Sequence, residues 1–126
     1  MNKEQLKLRT KQFALQIMKT ADLLPHTKAG EVVTRQLIRA ATSVGANYRS
    51  ACRARSKADF ISKVTIVEEE ADECLYWLEL IAESRMLPAE KLGSLMNEAR
   101  ELTAIFTASG RTARTRNSQS PIRNPK

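Results

Sequence analysis

The chain has 126 residues, 42% of them apolar and 28% charged, which is material for one soluble domain and too little for two. Only four Gly and four Pro occur, and Ala, Leu, Glu, Lys and Arg dominate, so the composition favours helix and argues against a disordered or strand-built chain. The net charge is +7, but five of the 21 basic residues lie in Gly110–Lys126, which holds no acid. That leaves 16 against 14 acidic groups in Met1–Ser109.

The first predicted helix runs from about Glu4 to Leu24. Leu6, Phe13, Ile17, Ala21 and Leu24 recur at multiples of three or four and share one face. Pro25 ends it, and PHTKAG forms a short connection closing at Gly30. The second helix spans about Glu31 to Arg53. Its stripe of Val33, Leu37, Ala40, Val44, Tyr48 and Ala51 consists mostly of small residues, so a neighbouring helix can approach closely. Gly45 costs this helix about 1 kcal/mol relative to Ala and marks a bend or a tight crossing.

Ser56 is placed to cap a third helix, with Asp59 at its third position in a variant of the capping box. Phe60, Val64, Val67, Ala71, Cys74, Leu78 and Ile81 step alternately by four and three, the cleanest heptad in the chain. This helix reaches about Met86. Leu87-Pro88 breaks it, and a fourth helix follows from about Pro88 to Ser109, burying Leu92, Leu95, Ala99, Leu102 and Phe106. Gly110 is read as the residue just past its end. The remaining segment, 110–126, shows no periodicity and is expected to be a disordered basic tail. Four helices joined by short loops give an all-α, up-down-up-down antiparallel bundle over residues 1–109.

Assigning the core leaves several residues outside it. On the second helix Arg35, Arg39, Arg49 and Arg53 fall within about 80° of arc, opposite the apolar stripe. Arg55 and Lys57 carry the positive charge into the turn, and Arg111, Arg114 and Arg116 add more from the tail. These residues form either an ordinary solvated face or a phosphate-binding strip, for which the guanidinium fork is well suited. The third helix is acidic, and it carries Ile66, Trp77 and Leu80 well away from its core stripe. A helix apolar on two faces buries both, which points to a subunit interface anchored by Trp77, the alternative being that Trp77 caps its own bundle. Asn47 sits at the margin of the core, where a buried amide needs a partner; Glu69 or Glu70 of the third helix would pair with it and fix the register.

Chemistry is conspicuous by omission. The single histidine, His26, falls in a loop, so a di-metal carboxylate bundle with Glu-x-x-His is excluded. One histidine and two cysteines cannot close a zinc site, and no glycine-rich phosphate loop or nucleophile elbow is present. Cys52 and Cys74 read as reduced core thiols. The charged N-terminus lacks the apolar run of a secretory signal, and nothing approaches a membrane span. The expectation is a cytoplasmic, non-enzymatic protein without cofactor or metal.

The stretch QLIRAATSVGANYRSACRARSKADFISKVTIVEEEADECLYWLELI, Gln36 to Ile81, resembles the central segment of the four-helix-bundle family of 23S rRNA intervening-sequence proteins. That family includes the accessory variability determinant of diversity-generating retroelements. The resemblance is carried by R-A-A-x-S-x-x-A-N at Arg39–Asn47, followed by Arg53, Arg55, Ser56 and Phe60. Gly45 stands where many relatives place proline, and Tyr48-Arg49-Ser50 replaces the more usual I-A-E. The resemblance implies a bundle assembling into a homopentameric barrel with a basic surface. For the retroelement member it also implies binding to nucleic acid and to a reverse transcriptase. Two functions follow as expectations: an oligomeric RNA- or DNA-binding accessory protein, or a protein-interaction scaffold whose nucleic-acid affinity is incidental.

Overall fold

In a computed structural model of the protein, which describes the backbone of residues 1–123 and the side chains of 1–116, four helices account for most of the chain. They are α1 (Lys3–Ala21), α2 (Lys28–Cys52), α3 (Lys57–Glu83) and α4 (Gly93–Arg123), with a single 3₁₀ turn at Ala89–Lys91 before α4. Among the described residues there is no strand.

Local chemistry explains most boundaries. Asn2 caps α1 in a reciprocal box, its Oδ1 accepting from the Gln5 amide at 2.8 Å while Gln5 Oε1 accepts from the Asn2 amide at 3.0 Å. Thr27 caps α2 by accepting from the Gly30 amide at 3.0 Å, so α2 starts earlier than the sequence predicts and Gly30 belongs to its first turn. A Cβ at Gly30 would stand 2.1 Å from the Pro25 carbonyl oxygen, which is why the connection needs glycine there. Ser56 caps α3 as predicted, accepting from the Asp59 amide at 3.0 Å. The Asp59 carboxylate reaches past the cap to the Arg55 amide at 3.1 Å. Asp59 is thereby held below the usual carboxylate range, chiefly by that backbone bond and then by Lys63.

The C-terminal half departs from the sequence reading. Arg85, with φ 60°, turns the chain after Ser84, while the Met86 and Arg85 amides donate back to Ile81 and Ala82. Pro88 opens the 3₁₀ turn rather than the helix itself. At the far end the segment expected to be without structure from Gly110 is helical through Arg123. Gly110 is buried inside that helix, near Val64 of α3 and the guanidinium of Arg114, so it continues a packed turn instead of ending one.

The core follows the predicted stripes. Ile17, Leu37, Val44, Val64, Val67, Leu78, Ile81, Leu92, Leu102 and Phe106 are fully buried, and of the stripe residues named above only Phe60 is half-buried. Tyr48 packs against Phe106 with ring centroids 5.3 Å apart, and burial pushes its phenol above the ordinary range. The buried Thr10 satisfies its hydroxyl on the Leu6 and Lys7 carbonyls, both at 3.0 Å. α3 packs along both α2 and α4, α1 lies mainly on α2, and the α1–α4 seam is sparse. That seam is held by Arg9, whose Nε and Nη2 donate to the two oxygens of Glu98 at 2.6 and 2.7 Å and whose Nη2 also reaches Glu101 at 2.7 Å.

Candidate nucleic-acid interface

The alternating helix directions bring the start of α1, the end of α2, the start of α3 and the later turns of α4 to the same end of the bundle. Each of these termini is basic. Between α1, α2 and α3 runs a groove of about 610 Å³ into which Lys7, Arg49, Arg53, Arg55 and Lys63 face, with no acidic residue in its lining. On the other side of Arg55 a second groove, of about 630 Å³, takes in Lys3, Arg55, Lys57 and Arg116 beside Phe60. Lys7 is shared with Glu4 at 3.2 Å and Lys63 with Asp59 at 3.0 Å. The guanidinium groups of Arg49, Arg53 and Arg55 are exposed and form no ion pair with the described residues. Three unpaired guanidinium groups around one concavity suit phosphate oxygens, which they can bind in fork geometry.

The predicted strip therefore divides. Arg49, Arg53 and Arg55 come together, and Arg55, Lys57 and Arg116 line the adjoining groove. Arg35 is 14 positions from Arg49 along α2, about 21 Å away. Arg39 is tied into the fold: it donates to Glu70 at 3.1 Å and, very closely, to Glu73. Arg114 donates to Thr65 Oγ1 at 2.9 Å, and Arg111 is exposed on α4. Lys3 and Lys7 escaped the sequence reading because they stand on α1, and Lys63 because it lies further along α3 than the turn residues of the strip. The predicted antiparallel order was the signal that could have placed them there.

Two other predicted groupings also change. Asn47 does not pair with Glu69 or Glu70. Its amide donates to the Ser43 carbonyl at 3.0 Å and the Ser43 hydroxyl at 2.7 Å, because a side chain one turn up its own helix is within easier reach. Glu70 turns to Arg39 instead, and Glu69 is exposed. In the apolar patch, Ile66 is exposed while Trp77 and Leu80 are half-buried. The Trp77 indole packs on the core and its N–H donates to Glu73 at 3.1 Å, so Arg39, Glu73 and Trp77 form one chain across α2 and α3. The exposed Tyr76 meets Trp77 edge to face at 5.1 Å and enlarges the patch.

Among the described residues, no group of three or more His, Cys, Asp or Glu is placed to hold a metal, and no helix is long and apolar enough to cross a membrane. Fold and site together define an all-α, four-helix protein with one strongly basic end. The chain belongs to the 23S rRNA-intervening sequence protein family, whose model matches residues 3–108. It is also similar to a solved structure of a protein of unknown function from the S23 ribosomal protein family of Bacteroides thetaiotaomicron. The two are 32% identical with a TM-score of 0.80, over 88% of this chain and 99% of the other. A comparison with curated proteins finds no match.

Proposed function

We propose that this chain is a non-enzymatic, self-associating, cytoplasmic accessory protein that holds RNA or DNA by its phosphate backbone. The observation that carries this reading is the pair of basic grooves flanking Arg55, one of them with three guanidinium groups left free by the fold. Phe60 is the one aromatic residue at these grooves and is half-buried, so base stacking contributes little and recognition goes to the backbone.

Titrating a labelled, structured RNA with the full chain at increasing salt tests this. Affinity is expected to fall with a log–log slope of about −0.7 to −0.9 per phosphate contacted. Changing Arg49, Arg53 and Arg55 together to Ala should weaken binding at least tenfold and reduce that slope by about two to three. Arg35→Ala, about 21 Å away on the same helix, should change little. No binding at micromolar protein, or equal losses in the two variants, would sink the proposal.

A second reading, a scaffold that docks protein chains, is favoured by the Ile66–Tyr76–Trp77–Leu80 surface and by the engagement of Arg39 within the fold. It gains ground if all affinity resides in Arg111, Arg114 and Arg116 while the groove variant binds RNA normally.

A further inference from the structure

The two basic grooves that flank Arg55 differ in what lies between their cations. The groove of about 610 Å³ has only Ala46 and Ser50 beside its five basic residues. Such a lining can hold phosphates and offers little apolar surface. The groove of about 630 Å³ has an apolar wall as well, built from Ala51 and Cys52 of α2, Ala54 of the turn, Phe60 of α3, and Ala108 and Ala113 of α4. Four of those six are alanines, whose methyl groups leave the space between the helices unfilled. No acid lines this groove, and the sequence contains none from Leu102 to Lys126.

We propose that this second groove seats one unpaired nucleotide of the bound strand, its base against the apolar wall and its phosphate at Arg55. The first argument is the lining. Small apolar residues with a few convergent charged groups are the usual make-up of a ligand pocket, and the volume lies within the usual range of about 300–1,000 Å³. Lys3, Lys57 and Arg116 edge the same groove and suit the flanking phosphates. The hydroxyls of Ser56, Ser109 and Thr112 lie in its lining too and can serve the polar edge of a base.

The second argument is continuity. Arg55 lines both grooves, so a backbone held by Arg49 and Arg53 and then by Arg55 arrives at the mouth of the second groove. A paired base cannot enter there, because it is stacked inside its duplex, whereas a nucleotide outside the stack can. Phe60 is the single aromatic residue at the grooves, so the site takes one base by burial and does not read a stacked series.

This inference rests on the phosphate-backbone binding of the proposed function and names the form of nucleic acid that the site prefers. Two short RNA duplexes test it, one ending in an unpaired adenosine and the other in an abasic nucleotide at the same place, so that both carry the same phosphates. At one salt concentration the full chain should bind the adenosine form about five- to tenfold more tightly, the low end of what one buried base contributes. Ala108 is exposed on α4, so Ala108→Leu fills the groove without entering the core and should reduce that ratio to below about twofold. The ratio is taken within one variant, and a general loss of stability does not reproduce it.

Cys52 supplies a second readout in the wild-type chain. It is half-buried in this groove, and the uncharged reagent N-ethylmaleimide should alkylate it several-fold more slowly under saturating adenosine-ended duplex than under saturating abasic duplex. Equal affinity for the two duplexes, equal alkylation at saturation, or a ratio unchanged in Ala108→Leu would each overturn the inference and leave backbone binding in place. If neither duplex binds at micromolar protein, the proposed function falls and this inference falls with it.

Discussion

Arg39 and Arg49 stand ten positions apart on α2 with the same side chain, and the fold uses them in opposite ways. Arg39 lies level with Glu70 and Glu73 of α3 and is neutralised by them, while Arg49 lies level with the basic groove and has no acid to meet. A helical wheel places both on one outward arc. It carries no information about what the neighbouring helix presents at each height, so the strip was legible as a face and illegible as a site. The two cysteines differ just as sharply. Cys74 is fully buried, and burial, reinforced by Glu70 and Glu73, pushes its thiol up to about 12; Cys52 is half-buried beside the second groove. Because the thiolate is the reactive form, a disulfide reagent at pH 8 should titrate Cys52 in the native protein and reach Cys74 only in denaturant. Two thiols reacting at once under native conditions would contradict this burial. The raised value in the folded state also means that Cys74 adds to stability in full below its unfolded value. That contribution is lost as pH rises from about 9 towards about 12.

At the scale of the helices, periodicity was enough to find all four apolar stripes, since one repeating contact surface fixes them whatever the loops do. The ends were harder to read. Asn2–Gln5 and Thr27–Gly30 are caps built from ordinary polar residues, and Gly110 resembles a stop although Val64 of α3 packs beside it within a continuing helix. Gly45 is a similar case. A Cβ at Gly45 would meet Thr10 Oγ1 at 3.4 Å and nothing nearer, which is ordinary contact, so the α1–α2 crossing does not require glycine there. Gly45→Ala should therefore stabilise the protein by about 0.5–1 kcal/mol through the helix propensity gained. Urea unfolding would register this as a higher midpoint at unchanged slope. A lower midpoint would show that Thr10 cannot accommodate the methyl group.

For the molecule as a whole, the up-down order does more than stack four stripes. It gathers termini that are far apart in sequence, and Lys3, Lys7, Arg53, Lys57 and Lys63 become neighbours at one end although no linear motif joins them. The fold class was legible because it needs only periodicity and loop length. The site was half legible because it depends on which helix faces which. The same topology distributes strength unevenly. α3 is held on two sides by packed side chains, whereas α1 rests on α2 and reaches α4 chiefly through the grip of Arg9 on Glu98 and Glu101. Apolar contact survives added salt, and partly exposed ion pairs are weakened by it. α1, whose buried Phe13 and Ile17 pack chiefly on α2 and whose other seam is polar, is therefore expected to be the helix that opens first. Deuterium uptake should reach the amides of α1 ahead of those of α2 and α3, and molar salt or Arg9→Gln should widen the gap. A helix that detaches reversibly is also one that can be traded between neighbouring molecules, so long incubation at high concentration and high salt would exchange α1 between protomers.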